Sequence, residues 1–247
     1  MNVVIPAAGL GRRLRPVTRG SPKEMLPLGG RPLIWHALRE AKTAGFLKAF
    51  VVVSPGKQDL IKYLESDDLP LDVAAVMQSE PTGVGDAVLR AAELAEAPFG
   101  VLLPDDVTQS RKHWDRLRDV HATTGAAAMC LRRVPAEMAH RFGVASYRRE
   151  NGLLRIRSLV EKPSPGTAPS NLAIFGRYIV TQAIVDALAR LHESVRGELQ
   201  LTDGFAAELD GRPGVFGVLF NARFYDNGTA EDYRTSVAAY VAPRAAR

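Results

Sequence analysis

The feature that most constrains the fold is the order of strand-like and helix-like segments in the N-terminal part of the chain. Short apolar, β-rich runs alternate there with longer segments whose apolar residues recur at helical spacing. The predicted strands cover 2–5, 49–53, 73–77 and 99–103, and the predicted helices cover 32–44, 57–64 and 85–94. This alternation predicts an α/β fold with a mostly parallel sheet and helices on both faces.

The pattern changes after residue 125, where strand-like runs follow one another with little helix between them. These runs cover 126–134, 143–148, 154–160 and 172–180, and helical patterns return at 182–191, 199–209 and 230–241. A mixed or antiparallel extension of the same sheet is the simplest interpretation. Since no low-complexity linker and no internal repeat interrupts the sequence, we expect one domain over residues 1–247.

Composition excludes several classes of protein. The chain has 247 residues, 46% of them apolar, so it can bury a sizeable core without covalent cross-links. Its single cysteine, Cys130, rules out a disulfide scaffold, and its five histidines show no zinc-ligand spacing. No apolar stretch approaches the roughly 20 residues that a membrane span requires. The first residues do not resemble a signal peptide, so we expect a cytoplasmic protein with no membrane partner.

The charge balance is basic, with a net charge of +5 and a pI of about 9.5. Such values are compatible with nucleic-acid binding. However, the arginines are spread over the whole chain, and aromatic residues make up only 7% of it. We therefore expect no nucleic-acid partner, and interpret part of the charge as a surface for a polyanionic small molecule.

A loop rich in small residues follows the first predicted strand and reads Pro-Ala-Ala-Gly-Leu-Gly-Arg-Arg over 6–13. Small residues here let backbone N–H groups approach a phosphate, and open α/β sheets bind ligands at this edge. Leu14 stands where a dinucleotide fingerprint has its third glycine, and no Gly-Lys-Ser/Thr follows, so the loop is neither that motif nor a P-loop. Alone, it is equally typical of a tight strand-to-helix turn.

Two adjacent carboxylates, Asp105 and Asp106, follow a buried strand at the same edge. Because adjacent side chains on an extended backbone point to opposite sides, we do not expect both to do the same work. Magnesium commonly takes one or two carboxylates together with phosphates and waters. The pair therefore indicates a metal-assisted phosphate site, with helix capping as the alternative.

Further motifs follow these two in order along the chain. The segment 21–28 reads Ser-Pro-Lys-Glu-Met-Leu-Pro-Leu, and later blocks lie at 78–87, 102–106, 161–163, 170–173, 197–203 and 225–229. Together they resemble the sugar-1-phosphate nucleotidyltransferases over nearly the whole chain, and Pro-Lys-Glu-Met-Leu-Pro resembles the UTP–glucose-1-phosphate uridylyltransferase branch. The resemblance implies a Rossmann-like fold of the nucleotide-diphospho-sugar transferase type. It places the nucleotide-binding part at about 1–110 and the sugar-binding part at about 111–230.

The resemblance also implies an activity and a set of site residues. The activity is transfer of UMP from UTP to a hexose 1-phosphate, with glucose 1-phosphate expected, giving a UDP-sugar and pyrophosphate. The nucleotide is assigned to Ala7, Ala8, Gly9, Gly11, Arg13, Lys23, Glu24, Gln78 and Gly83. The sugar phosphate is assigned to Asp106, Gly143, Glu161, Lys162 and Gly176. Mg²⁺ is assigned to Asp105 and Asp226, and catalytic roles to Arg13, Lys23, Asp105, Lys162 and Asp226.

These residue types suit that chemistry. The attacking phosphate is already ionised and needs no general base, so the protein must position the substrates and neutralise charge. Arg13 and Lys23 supply cations for the triphosphate, and Lys162 supplies one for the sugar phosphate. An amide side chain such as Gln78 can pair with the edge of a pyrimidine. For the ribose 2′-hydroxyl, Glu24 is one acceptor that the sequence allows; a contact with the base or a surface position is equally allowed.

Two departures leave the nucleotide open between UTP and dTTP. The block Tyr-Asp-Asn-Gly-Thr-Ala-Glu-Asp-Tyr at 225–233 is nearer to the thymidylyl form, and the stretch between Asp106 and Phe142 is short for a uridylyltransferase. The alternatives are therefore a dTTP-using thymidylyltransferase and a non-catalytic nucleotide-sugar-binding module. Retention of the charged residues together favours an enzyme. Whether the chain forms a homo-oligomer is left open.

Overall fold

Nine strands form one continuous sheet in the computed structural model, which describes residues 1–192 and 197–241. In chain order the strands are β1 (Val3–Pro6), β2 (Pro27–Leu28), β3 (Arg31–Pro32), β4 (Ala49–Val53), β5 (Val73–Met77), β6 (Phe99–Leu102), β7 (Asp106–Thr108), β8 (Ala127–Arg133), β9 (Gly143–Glu150), β10 (Leu153–Glu161), β11 (Leu172–Val180), β12 (Val215–Leu219) and β13 (Phe224–Asp226). Four of these strands, β2, β3, β7 and β13, lie outside the main sheet and form two small two-stranded sheets in the described residues. The helices are α1 (Arg15–Thr18), α2 (Leu33–Thr43), α3 (Gln58–Leu64), α4 (Val84–Ala95), α5 (Lys112–Thr124), α6 (Gln182–His192), α7 (Leu201–Ala207) and α8 (Ala230–Val241). Short 3₁₀ helices cover Arg12–Leu14, Lys23–Met25 and Ala136–Arg141.

The main sheet is mixed, in the order β5-β4-β1-β6-β11-β8-β12-β10-β9. The four strands from β5 to β6 are parallel to one another, whereas β11 runs against both of its main neighbours. Beyond it, β12 is parallel to β8, and β10 runs against both β12 and β9. The prediction of a mostly parallel sheet with a mixed extension is confirmed.

The core lies on both faces of this sheet. Val3 and Ile5 belong to one buried cluster and Val4 to another, as the two-residue period of a strand requires. Residues of α2, α3 and α5 cover the first face, and residues of α4, α6 and α7 cover the second. Burial on both faces explains the nearly continuous apolar runs of the central strands.

Of the α-helices and strands that had no counterpart in the sequence-based prediction, the two longest are α5 and β12. Helix α5 is mostly polar, and only a narrow stripe, including Trp114 and Leu117, is buried. Strand β12 is a short run after a Gly- and Pro-rich segment, and it enters the sheet between β8 and β10. Both elements depend on contacts with distant parts of the chain, which local periodicity does not report. The helix predicted over 199–209 is also shorter, at Leu201–Ala207.

The fold brings several loops to one edge of the sheet. The loop after β1 and the loop after β6 leave neighbouring parallel strands at their carboxyl ends. Strand β13 pairs antiparallel with β7, which sets Asp226 opposite Asp106. No helix in the described part of the chain is long and apolar enough to cross a membrane. The division into a nucleotide-binding and a sugar-binding part stays a prediction.

Candidate active site

Two adjoining cavities lie at this edge, with volumes of about 410 Å³ and about 340 Å³. The first is lined by the predicted nucleotide residues Ala8, Gly9, Gly11, Arg13, Lys23, Gln78 and Gly83. The second is lined by the predicted sugar and metal residues Asp105, Asp106, Gly143, Glu161, Lys162, Gly176 and Asp226. Arg13, Lys23 and Asp105 line both cavities, so the charged residues lie where the two meet.

The glycine loop borders the first cavity with little side-chain bulk. Gly11 has a φ of +60°, a left-handed conformation that favours glycine, and it directly precedes the 3₁₀ helix Arg12–Leu14. Leu14 is buried and anchors this helix, whereas Arg12 and Arg13 are exposed. A Cβ added at Gly9 would meet no atom within 4 Å. The loop therefore leaves its backbone open toward the cavity.

Ala7 and Glu24, both predicted to contact the nucleotide, line neither cavity. The N–H of Ala7 donates to the carbonyl of Val52 at 2.8 Å, and its own carbonyl accepts from Lys57. Glu24 is fully buried and accepts from Nζ of Lys57 at 2.7 Å. Both residues lie behind the loop and support it, so the predicted contact between Glu24 and a ribose hydroxyl does not fit its position.

Lys57 also helps to hold the glycine loop in place, and the sequence analysis did not identify it. Its ammonium bridges the loop at Ala7 and the 3₁₀ helix that contains Glu24. Burial lowers the pKa of Lys57 and raises that of Glu24, the directions expected when both groups lose water. A lysine at a helix start carries no sequence signal for such a role, because its two partners are 50 and 33 positions away.

Lys23 and Asp105 form an ion pair where the two cavities meet. Nζ of Lys23 lies 2.7 Å from Oδ1 and 2.6 Å from Oδ2 of Asp105. Although burial lowers the pKa of Lys23, the Asp105 and Glu24 carboxylates together outweigh burial and raise it above its ordinary value. Lys23 is therefore a fixed cation, held in place by a predicted metal ligand.

Three carboxylates, from Asp105, Asp106 and Asp226, line the second cavity. The backbone N–H and the side-chain amide of Asn227 donate to the carbonyl of Asp105 at 3.0 and 2.9 Å, which ties β13 to the Asp105 loop. Burial, and after it the negative charge of Asp226, raises the pKa of Asp106 to about 7. The pKa of Asp226 is also raised, first by burial. The cavity thus holds more negative charge than it readily accommodates.

This surplus of negative charge fits a divalent cation. No group of three or more His, Cys, Asp and Glu side chains is arranged as a metal site within residues 1–192 and 197–241. A magnesium site can nevertheless draw part of its ligands from phosphates and waters. Asp105 and Asp226 are therefore suitable for the small protein share of such a site.

Strand β10 ends at Glu161, and Lys162 follows it; both residues line the second cavity. Nζ of Lys162 lies 3.5 Å from Oε1 of Glu161 and is largely exposed, so it remains free to meet an incoming anion. A Cβ at Gly143 would meet Oε2 of Glu161 at 2.8 Å, and one at Gly176 would meet the Leu103 side chain at 2.7 Å. The two glycines thus make room for neighbouring side chains.

Two further cations line the second cavity, and sequence reasoning did not assign them. Arg132 stacks between Phe142 and Phe224, with its guanidinium carbon 4.6 and 4.3 Å from the ring centroids, and reaches within 3.7 Å of Asp226. Arg141 pairs with Asp232 at 2.6 Å. The sequence could have indicated Arg132, because this charged residue directly follows the apolar run at the start of β8.

Gly83 is another residue that lines the first cavity. This residue has a φ of +114°, and a Cβ there would lie 2.1 Å from the carbonyl oxygen of Leu199. Only glycine fits between α4 and the segment before α7. Gln78 follows β5 and is buried, with Nε2 donating to the Gly83 carbonyl at 3.1 Å.

From within the sheet, Arg177 supports the loop that carries Asp105. It is fully buried in the middle of β11, and its guanidinium donates to the carbonyls of Leu103 and Asp106. These carbonyls flank Asp105 on both sides, so Arg177 fixes the loop that presents the Asp105 carboxylate. An arginine inside the apolar run Leu-Ala-Ile-Phe-Gly-Arg-Tyr-Ile-Val was the signal that sequence reasoning left unused.

Known proteins are similar to this chain in sequence and in architecture. The profile of the family described as "Nucleotidyl transferase" matches residues 2–242. The UTP–glucose-1-phosphate uridylyltransferase of Staphylococcus epidermidis is 34% identical over 91% of this chain and 86% of its own. A crystal structure of a UDP-glucose pyrophosphorylase complexed with UDP-glucose superposes with a TM-score of 0.86 at 30% identity, covering 97% of each chain. A structure described as a putative glucose-1-phosphate thymidylyltransferase of Bacillus anthracis, 23% identical with a TM-score of 0.84, shows the same fold.

The family match, the identity to curated relatives and the paired cavities agree with one another. The predicted resemblance to nucleotidyltransferases is confirmed, and so is the fold class that it implied. The chain belongs to the nucleotidyl transferase family.

Proposed function

We propose that this enzyme transfers UMP from UTP to glucose 1-phosphate in a Mg²⁺-dependent reaction, giving UDP-glucose and pyrophosphate. The observation that carries the proposal is the junction of two cavities at Arg13, Lys23 and Asp105. Nucleotidyl transfer between two substrates requires one cavity for the nucleotide and one for the sugar phosphate. The two must meet at a charged border where the phosphates react. The names of the uridylyltransferase and pyrophosphorylase relatives support the choice of substrates.

The reaction needs positioning more than acid–base chemistry. An ionised phosphate oxygen of the sugar phosphate attacks the α-phosphorus of UTP, the bond from that phosphorus to the β-phosphate oxygen breaks, and pyrophosphate carries away the electron pair. No proton has to be removed from the nucleophile. The protein lowers the barrier by holding both anions in line and by balancing the charge that moves to the leaving group.

The chain divides this task among its cations. Lys23, held by Asp105, would meet the α-phosphate, and Arg13 on the glycine loop would meet the leaving pyrophosphate; both residues line the first cavity, which supports these roles. Asp105 and Asp226 would hold Mg²⁺, which when bound neutralises triphosphate charge. On the other side Lys162 would bind the phosphate of the acceptor, with Glu161 toward the sugar hydroxyls.

The base is proposed to lie against Gln78 at the far end of the first cavity. Uracil and thymine present the same pairing edge, so this residue alone does not separate UTP from dTTP. A methyl-sized difference in a pocket is worth about 1–3 kcal/mol. We propose UTP as the preferred donor, with measurable activity on dTTP.

A pyrophosphate-release screen tests the proposal. Five nucleoside triphosphates, ATP, GTP, CTP, UTP and dTTP, are each combined with several sugar 1-phosphates in the presence of Mg²⁺. We expect the highest kcat/KM with UTP and glucose 1-phosphate. A tenfold preference for dTTP would replace the uridylyl assignment with a thymidylyl one, and binding without any pyrophosphate release would favour a non-catalytic module.

A further inference from the structure

A buried carboxylate, Asp86, lies directly behind Gln78 at the start of α4. Its Oδ2 accepts three hydrogen bonds: from Nε2 of Gln78 at 2.6 Å, from Oγ1 of Thr82 at 2.8 Å and from Nε of Arg90 at 2.9 Å. Its Oδ1 lies 3.1 Å from Nε2 of His192. Asp86 does not line the first cavity, so it acts only through its neighbours.

The carboxylate is held in its ionised form. Burial raises the pKa of Asp86, but the hydrogen bonds from Arg90, Gln78 and Thr82 outweigh burial and lower it below its ordinary value. An ionised carboxylate can only accept hydrogen bonds. Whatever group faces Oδ2 must therefore be a donor.

This requirement determines which way the amide of Gln78 points. Its Nε2 has two hydrogens, and they are directed to Oδ2 of Asp86 at 2.6 Å and to the carbonyl of Gly83 at 3.1 Å. Both partners are acceptors, so a reversed amide would set Oε1 against two oxygens and lose both bonds. Such a loss at a buried site is costly, because the amide is only 2% exposed. The amide therefore has one stable orientation.

With both N–H groups engaged, Gln78 can offer only an acceptor to a ligand. Within the described part of the chain Oε1 receives no hydrogen bond, and the residue lines the nucleotide cavity. A uracil or thymine ring presents an N–H donor at N3, flanked by two carbonyls. A cytosine ring presents a bare acceptor at N3, which would face Oε1 with no hydrogen between them.

We propose that Asp86 is a positioning residue for base specificity: it locks the Gln78 amide as an acceptor, so that the cavity takes uracil or thymine and rejects cytosine. The inference rests on the proposed function, since it assigns the first cavity to the nucleotide base. It adds a determinant that does not touch the base. Asp86 also lies in the first turn of a helix, where a carboxylate stabilises the helix whatever binds nearby; the experiment must separate the two roles.

The test compares dissociation constants of UTP and CTP, measured by calorimetry on the full chain in Mg²⁺. Asp86→Asn keeps the shape of the side chain but lets an amide face Gln78, so that the Gln78 amide can reverse. We expect the preference of UTP over CTP to fall by about tenfold or more, with weaker UTP and stronger CTP binding. In turnover assays the KM for UTP should rise much more than kcat falls.

Arg90→Gln is the matched control. Arg90 contacts the same Oδ2 but does not line the first cavity and is partly exposed, so its loss should leave the ratio of UTP to CTP affinity unchanged. Gln78→Leu removes the amide itself. If Asp86 acts through Gln78, adding Asp86→Asn to Gln78→Leu should not change the ratio further.

Equal weakening of UTP and CTP by Asp86→Asn would overturn the inference and leave a helix-stabilising role. If that variant does not fold, side-chain amide NMR of the wild-type protein decides: the Nε2 protons of Gln78 should exchange slowly with water, and fast exchange of both contradicts the lock. These binding and exchange measurements do not depend on turnover. Failure of the proposed reaction would appear instead as tight UTP binding without pyrophosphate release.

Discussion

Glu40 and Arg177 form a buried ion pair beneath the site, with Nη2 of the arginine 2.6 Å from Oε2 and Nε 3.0 Å from Oε1. Glu40 also accepts from the indole N–H of Trp114 at 2.8 Å and lies 3.1 Å from Nε2 of His113. Because α2, α5 and β11 each contribute to this cluster, it ties two helices to the middle of the sheet. The same arginine holds the loop on both sides of Asp105.

Glu40→Gln should destabilise the fold strongly. The change leaves Arg177 charged and buried without its counter-charge, which costs about 3–5 kcal/mol for pairs of this kind. Glu208→Gln is the control, since its pair with the exposed Arg190 at 3.2 Å should be worth about 0–1 kcal/mol. Urea unfolding followed by circular dichroism measures both. A similar decrease in the free energy of unfolding for the two variants would show that the buried pair stabilises the fold no more than the surface pair does.

The proposed metal ligands are tested by Asp105→Asn and Asp226→Asn. Each removes one charge while keeping the side-chain shape, so turnover should fall by orders of magnitude, most steeply at limiting Mg²⁺. Asp72→Asn serves as the control, because Asp72 pairs with Lys48 at the surface. Pyrophosphate release across a Mg²⁺ titration gives the comparison. Wild-type turnover at limiting Mg²⁺ in either folded variant would remove that residue from the site.

Lys162→Ala should weaken glucose 1-phosphate far more than UTP. A lost charge-assisted contact costs roughly 1.5–3 kcal/mol, or about 10- to 150-fold in affinity. Lys48→Ala is matched in charge and precedes β4, at the opposite edge of the sheet. The ratio of the two KM values separates the outcomes. An equal loss for both substrates would point to a role at the triphosphate or to a defect in folding.

Asp106 predicts a pH dependence of stability. Burial raises its pKa in the folded protein from 3.8 to about 7, so the folded state binds this proton more tightly than the unfolded state does. The associated stability is fully present below pH 3.8 and is lost as the pH rises through about 7. Asp106→Asn should therefore be more stable than the wild type at pH 8 without Mg²⁺, by on the order of 1–2 kcal/mol. Thermal melts between pH 5 and pH 8 measure this, and a constant difference over that range would contradict it.

Glu24→Gln should not change the choice between UTP and dTTP. The carboxylate is buried against Lys57 behind the glycine loop. Weakening that support should reduce stability by about 1–3 kcal/mol and affect both nucleotides equally. Steady-state kinetics with UTP, dUTP and dTTP provide the measurement. A selective gain with dTTP would mean that Glu24 reaches the ribose after all.

The fold was predictable where apolar spacing alone determines an element. The strands at 49–53, 73–77 and 172–180 match the structure to the residue. The first two are unbroken apolar runs, and the third is interrupted only by Gly176 and Arg177. Helix α5 escaped prediction since its buried stripe is narrow and most of its residues are polar. Its position depends on Trp114 packing near Phe46 and Glu40, contacts that join distant parts of the chain.

The predicted site residues divide in the same way. Arg13, Lys23 and Asp105 lie in short motifs next to strand ends, and they do meet at one border of the cavities. Glu24 follows Lys23 directly, yet its side chain faces away from the cavities and accepts a hydrogen bond from Lys57. Sequence identifies which residues are charged near the site. Which of them face the cavity depends on partners that the folded chain brings together, as for Arg177 and Glu40.

The pairing of β7 with β13 has a consequence for the order of events during synthesis. Asn227 holds the carbonyl of Asp105 across a separation of 122 positions, and Asp226 enters the acidic cavity only through that pairing. A chain emerging from the ribosome therefore completes its glycine loop and first carboxylates long before the last one arrives. Contacts so distant in sequence form late, because their loop-closure entropy must be overcome first. Chains that end before Asp226 would thus lack one of the two proposed metal ligands.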